Sequence, residues 1–138
     1  MEKKAKILVI DNDVDFVDMN RAVLEHHGYE VVTAFSGKEG LETVKLERPD
    51  AIVLDLMMEK HDTGFALAKE LKADPVFKHI PILMLTSVAE ATGFKFSLEQ
   101  DGYWMKTDDF ADKPLLPKEL VARIERLLKR AKGESEKE

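Results

Sequence analysis

Cysteine is absent from the 138 residues, which excludes a disulfide framework and thiolate metal sites and fits a cytoplasmic protein. No apolar run approaches the ~20 residues that span a bilayer. The opening residues Met1 to Lys6 lead straight into a short apolar stretch, not into the long apolar core of a secretion signal. Lys and Arg form no basic stripe, and the net charge of −6 argues against a nucleic-acid partner, because affinity for phosphate backbones comes from clustered cations. His26, His27, His61 and His79 have neither HExxH-like nor Cys/His ligand spacing, which leaves them surface or cap roles. There is no internal repeat and no low-complexity block. What is there is a globular composition, 44% apolar and 35% charged. Its length fits one domain with a real core, and nothing is expected to be left over for a second.

Three short apolar runs stand out. Ala51 to Leu54 ends in Asp55, Ile7 to Ile10 ends in Asp11, Asn12 and Asp13, and Ile80 to Leu85 ends in Thr86 and Ser87. A run without polar alternation reads as a strand buried on both faces, as in a parallel sheet covered by helices. Ligands of open α/β sheets bind beyond the carboxyl ends of the strands, so these runs deliver polar groups to one functional edge. If the strands of Asp11 and Asp55 are neighbours at roughly 4.8 Å spacing, their carboxylates approach closely. Like charges that near raise each other's pKa unless a cation separates them, and a hard divalent cation with oxygen ligands is the natural separator. A Mg2+ site is the simplest reading.

Between the runs the pattern is helical. Asp13 predicts the N-cap of a helix with Phe16, Met19, Val23 and Leu24 on its apolar face and Gly28 as its stop. Tyr29 to Ala34 predicts a second strand. Ser36 caps a second helix with Leu41, Val44 and Leu46 inward, ended by Pro49, and Thr63-Gly64 opens a third with Phe65, Leu67, Ala68 and Leu71 inward, closed by Asp74-Pro75. The pattern fails between Thr86 and Asp112. Gly93, Gly102 and the lack of a sustained 3.6 period predict a short or broken helix. Phe94, Phe96, Tyr103 and Trp104 either pack this long segment down or present a partner-binding patch. Phe110-Ala111 is the core of a short last strand. Pro117 opens a final helix with Leu120, Val121, Ile124, Leu127 and Leu128 on one face, and residues 133–138 read as a disordered tail.

Asp11 with Asn12, Asp55, Thr86, and Lys113 before Pro114 thus converge on one edge. In order and type they resemble the receiver domain of two-component response regulators, the CheY-like family, over nearly the whole chain. The resemblance implies an α/β fold, a doubly wound five-stranded parallel sheet of flavodoxin-like order 2-1-3-4-5, with an irregular or extended fourth-helix region, over residues 1–132. It implies a stand-alone phospho-acceptor switch in which Asp55 takes a phosphoryl group from a sensor histidine kinase or a phosphotransfer protein. Asp11, Asn12, Asp55 and the backbone carbonyl of Met57 would hold Mg2+, Thr86 and Lys113 would contact the phosphoryl oxygens, and Phe110 would be the switch aromatic. The Lys113-Pro114 bond is cis in the family. No enzymatic activity is implied beyond self-phosphorylation and self-dephosphorylation at Asp55. The implied target is a downstream protein docking on the fourth-helix region, the last strand and the final helix.

Several features depart from that family, among them a region from Val88 to Asp109 about five residues longer than usual. Asn12 replaces the second acid of the usual pair, Glu59 stands where a proline commonly follows the phosphoacceptor, and Asp62-Thr63-Gly64 stretches the usual Asp-Gly. They motivate a second reading, a phosphorylation-independent pseudo-receiver that serves as a scaffold. A third comes from another class. Asp11-Asn12-Asp13 after an apolar strand is similar to the first motif of haloacid-dehalogenase-type phosphatases, which would make Asp11 the nucleophile. Against it, the acidic fourth motif should follow the lysine, whereas Asp108-Asp109 precede Lys113, and Asp55 would have no role.

Overall fold

Strands buried on both faces need helices above and below them, and the chain alternates to supply both. In the computed structural model, which describes residues 4–56, 63–86, 99–102, 108–113 and 115–133, the elements run in this order: β1 (Lys6–Ile10), α1 (Val14–His26), β2 (Glu30–Ala34), α2 (Gly37–Glu47), β3 (Ala51–Asp55), α3 (Thr63–Ala73), β4 (Ile82–Thr86), β5 (Asp109–Asp112) and α4 (Pro117–Ala131). The strands form one sheet of order β2-β1-β3-β4-β5. All its pairs are parallel, so the expected fold class holds.

Side chains alternate across each strand and sort the core into two layers. Leu8, Ile10, Ile52, Leu54, Ile82 and Met84 pack with Val44 of α2 and with Leu67, Ala68 and Leu71 of α3. Ile7, Val9, Ala51, Val53, Leu83 and Leu85 pack with Val17 and Leu24 of α1 and with Leu120, Ile124 and Leu127 of α4. Local chemistry starts the helices. The Asp13 carboxylate accepts the Phe16 N–H at 3.2 Å, and Ser36 Oγ accepts the Glu39 N–H at 3.0 Å, each satisfying a donor that a helix start leaves unpaired. Gly28 ends α1 at φ +93°, a backbone region that glycine enters without strain. No helix among the described residues is long and apolar enough to cross a membrane.

Several sequence expectations need correction. Met19 is 55% exposed, whereas Phe16, Val23 and Leu24 of the expected face do pack inward; the most buried positions of α1 are Val17, Asn20 and Leu24. Asn20 fits there because its amide donates to the Phe16 carbonyl at 2.7 Å. Leu46 is 82% exposed, since α2 turns Gly37, Gly40 and Val44 inward and a residue two beyond Val44 lies on the opposite side. Strand β4 starts at Ile82, not Ile80, because Pro81 has no N–H to give a ladder, though its carbonyl accepts the Ile52 N–H at 3.0 Å. Tyr29 is buried but precedes β2. The expected broken helix between Thr86 and Asp112, the cis Lys113-Pro114 bond and the disordered tail fall on residues outside the described set, apart from 99–102, 108–111, Lys113 and Gly133.

Candidate functional site

Ile10 pairs with Leu54 in register, so Asp11, just past β1, and Asp55, the last residue of β3, lie side by side at the sheet edge. Their environments differ. Asp11 is 0% exposed and Asp55 6%, and Asp11 Oδ1 accepts the Asp13 N–H at 3.1 Å. Lys113 follows β5, and its N–H donates to the Thr86 carbonyl at 3.2 Å, which extends the β4–β5 pairing and turns the side chain toward the acids. Its Nζ lies 3.0 Å from Asp11 Oδ2 and 3.4 Å from Asp55 Oδ2, and 4.4 Å from the centre of the Phe16 ring.

The electrostatics follow from that placement. Burial pushes the Asp11 carboxyl above its usual range; the Asp13 N–H and the Lys113 ammonium oppose this, and the Asp55 charge adds to it. Burial works to lower the Lys113 pKa, but its bond to Asp11 and the charges of both acids outweigh that and raise it, so the ammonium stays charged. Thr86 is buried, and its hydroxyl has no hydrogen-bond partner among the described residues. Such a group costs about 1–3 kcal/mol, which makes it ready for an acceptor. Phe110 pairs with Met84 and Asp112 with Thr86, so Phe110 lies one step down the same face as Thr86, partly buried.

The structure therefore brings Asp11, Asp55, Thr86 and Lys113 together. Asn12 is exposed at the rim, Asp13 is also exposed and its carboxylate caps α1, and Met57 lies outside the described residues. No group of three His, Cys, Asp or Glu that could hold a metal occurs among the described residues; the pair Asp11 and Asp55 is what the site offers. Glycine at position 64 is required by how closely α3 approaches this edge. A Cβ there would overlap the Asp55 carbonyl oxygen and lie 2.6 Å from Leu56 Cα, while the Phe65 N–H donates to the Leu56 carbonyl at 3.1 Å. Gly64→Ala is therefore expected to destabilise the fold by about 1–3 kcal/mol through overpacking, read as a lower urea midpoint; an unchanged midpoint would mean that α3 can shift freely.

Sequence reasoning missed two features. The Phe16 ring against Lys113 left no signal beyond an apolar helix position. Lys72 is fully buried and paired with Asp108 at 2.7 Å; its place four residues after Ala68, on the inward stripe of α3, was a readable hint.

Comparison with known proteins agrees with this fold. A family model for the response regulator receiver domain matches residues 7–125. The chain is 40% identical to the probable transcriptional regulator ycf27 of Cyanophora paradoxa over 130 residues, 94% of this chain and 51% of that one. It is 34% identical to the DNA-binding response regulator MtrA of Mycolicibacterium smegmatis over 131 residues, 95% of this chain and 54% of that one. Among solved structures, a CheY-like response regulator receiver domain protein from Methanospirillum hungatei superposes with a TM-score of 0.80 at 25% identity, covering 98% of this chain and 100% of that one. The chain thus spans about half the length of the curated relatives it matches. These names overturn the expectation of no nucleic-acid partner. A net charge of −6 describes this unit's own surface, and carries no information about the other half of relatives named for transcription and DNA binding.

Proposed function

Because the chain belongs to the response regulator receiver domain family of two-component systems, we propose that Asp55 accepts a phosphoryl group from a histidine kinase or phosphotransfer protein, and that this switches a regulatory output. The observation that carries the reading is the bridge at the sheet edge: two neighbouring carboxylates, one ammonium reaching both, and a buried hydroxyl with no hydrogen-bond partner among the described residues. Asp55 is the nucleophile because it alone of the two acids reaches the surface; Asp11 is sealed and held by the Asp13 N–H. Lys113 offsets charge as the dianionic group arrives, exchanging a carboxylate for a phosphoryl oxygen. The Thr86 hydroxyl donates to another of these oxygens, and its movement makes room for Phe110 on the same face. The names of the relatives support an output on DNA, exerted by the part of those proteins that this chain does not span.

Asp11 and Asp55 fit a divalent cation by their chemistry, since Mg2+ is commonly held by one or two carboxylates and keeps several waters. When bound, Mg2+ neutralises charge that develops on the transferring group. Asn12 would add a carbonyl oxygen but no charge. A charge at ~4 Å is worth about 1 kcal/mol in water-like dielectric and about 4 at an effective dielectric near 20, before repulsion from Asp11 and Asp55 is subtracted. Asn12→Asp is therefore expected to tighten Mg2+ binding roughly tenfold, by calorimetric titration. Asp13→Ala should instead cost about 1 kcal/mol of stability as a lost cap and leave the affinity alone. Equal affinity in the native protein and Asn12→Asp, with loss in Asp13→Ala, would move the ligand role to Asp13.

The deciding experiment is peptide mapping by mass spectrometry after exposure to acetyl phosphate and Mg2+. One phosphoryl group on the Asp55 peptide is expected. Uptake on Asp11 would favour the phosphatase-type reading, and no uptake the scaffold reading.

A further inference from the structure

The Lys113 ammonium has three neighbours that favour its charge. Two are the carboxylates, at 3.0 and 3.4 Å. The third is the Phe16 ring, 4.4 Å from Nζ to the ring centre, and nothing in phosphoryl chemistry by itself calls for an aromatic in the first turn of α1. The ring is held in place at both ends of its residue. Its N–H is tied to the capping Asp13 carboxylate at 3.2 Å, its carbonyl accepts from the Asn20 amide at 2.7 Å, and the side chain packs partly buried against the α1–α4 core layer. A lysine, by contrast, is a point charge on a flexible four-carbon stem, and Lys113 is only partly buried. The two acids draw its head to one side; the π face of Phe16 borders it on another, and the neutral Asn12 brings no charge to this rim.

We propose that Phe16 is a positioning residue for Lys113: its ring face holds the ammonium at the gap between Asp11 and Asp55, so that the charge is in place when a phosphoryl oxygen arrives. The proposal deepens the reading of Asp55 as phosphoacceptor and rests on it. A cation over an aromatic face is attracted by the ring quadrupole, more strongly where water is partly excluded. An aliphatic side chain of similar bulk fills the same volume without that attraction, which separates positioning from packing.

The test compares native protein with Phe16→Leu and Phe16→Tyr. By NMR, the Lys113 Hε protons of the native protein should be displaced upfield by the ring current, a signature that needs no phosphorylation. Phe16→Leu should abolish the displacement and slow phosphorylation of Asp55 by acetyl phosphate about threefold to tenfold; Phe16→Tyr should restore both. The same spectra show whether each variant is folded. A native Lys113 without upfield displacement overturns the proposal, and so does a Phe16→Leu protein that phosphorylates at the native rate. A Phe16→Tyr protein as slow as Phe16→Leu overturns it as well, since packing alone would then explain the loss. If the native protein takes up no phosphoryl group, the Asp55 reading fails, and the Lys113 resonances still decide whether the ring holds the ammonium.

Discussion

Asp55→Asn is expected to take up no phosphoryl group from acetyl phosphate at any Mg2+ concentration. The amide is close to isosteric with the carboxylate, but its one oxygen is a poor, uncharged nucleophile, so the loss is chemical and not a consequence of a cavity. The fold should tolerate it, because Lys113 keeps its 3.0 Å bond to Asp11 and the buried Asp11 loses a like charge beside it. Thermal unfolding at or above the native midpoint would confirm that. Asp11→Asn is the companion. It leaves the proposed nucleophile in place but removes one charge that holds Lys113 and would help to hold a divalent cation, worth at least about 1 kcal/mol at this range, so uptake should persist on Asp55 at about a fifth of the native rate or less. Phosphorylation that survives in Asp55→Asn and maps to Asp11 would reverse the two roles.

Breaking the Lys72–Asp108 pair is expected to have the largest effect on stability. Both side chains are fully buried, 2.7 Å apart. The Lys72 ammonium also donates to the carbonyls of Lys78 at 3.0 Å and Ile80 at 3.2 Å, and Asp108 Oδ1 accepts the Ile82 N–H at 3.0 Å. Burial pulls the Lys72 pKa down while Asp108 pulls it back up, which is the balance of a charge tolerated only because of its partner. Removing one member leaves the other charged and dry, at a cost of about 3–5 kcal/mol, a large share of the 5–15 kcal/mol that ordinary domains possess. Lys72→Met and Asp108→Leu should each show this in urea unfolding. The double variant should recover part of it, since no charge remains stranded. It should not recover all, because the Lys78 and Ile80 carbonyls and the Ile82 N–H lose a partner, at about 1–3 kcal/mol for each group left unsatisfied. Single variants within 1 kcal/mol of native would show that water reaches the pair. Slack here would reach the site, because Asp108 immediately precedes β5, and β5 carries Phe110 and delivers Lys113.

The sequence by itself determined the elements whose causes are local. Short apolar runs such as Ala51 to Leu54 read as strands covered on both faces, Asp13 and Ser36 announce helix starts through a side chain that bonds within its own turn, and Leu120, Ile124 and Leu127 mark one face of α4 by spacing alone. The acids at the ends of β1 and β3 were legible for the same reason, since a strand that stays apolar to its last residue must place the next polar one at the sheet edge. Tertiary structure decided what depends on partners distant in the chain. Whether Met19 or Val17 faces inward is set by how α1 lies on the sheet, a rotation that an i, i+3, i+4 pattern leaves open by one position. A lysine in the inward stripe of α3 is a contradiction until Asp108 arrives beside it from the far side of β4. Resemblance could bring Lys113 to the site, but its seat between two carboxylates and an aromatic ring is a four-body arrangement among β1, β3, α1 and the end of β5. No local pattern encodes it, because the energy that selects that seat exists only once those elements have packed.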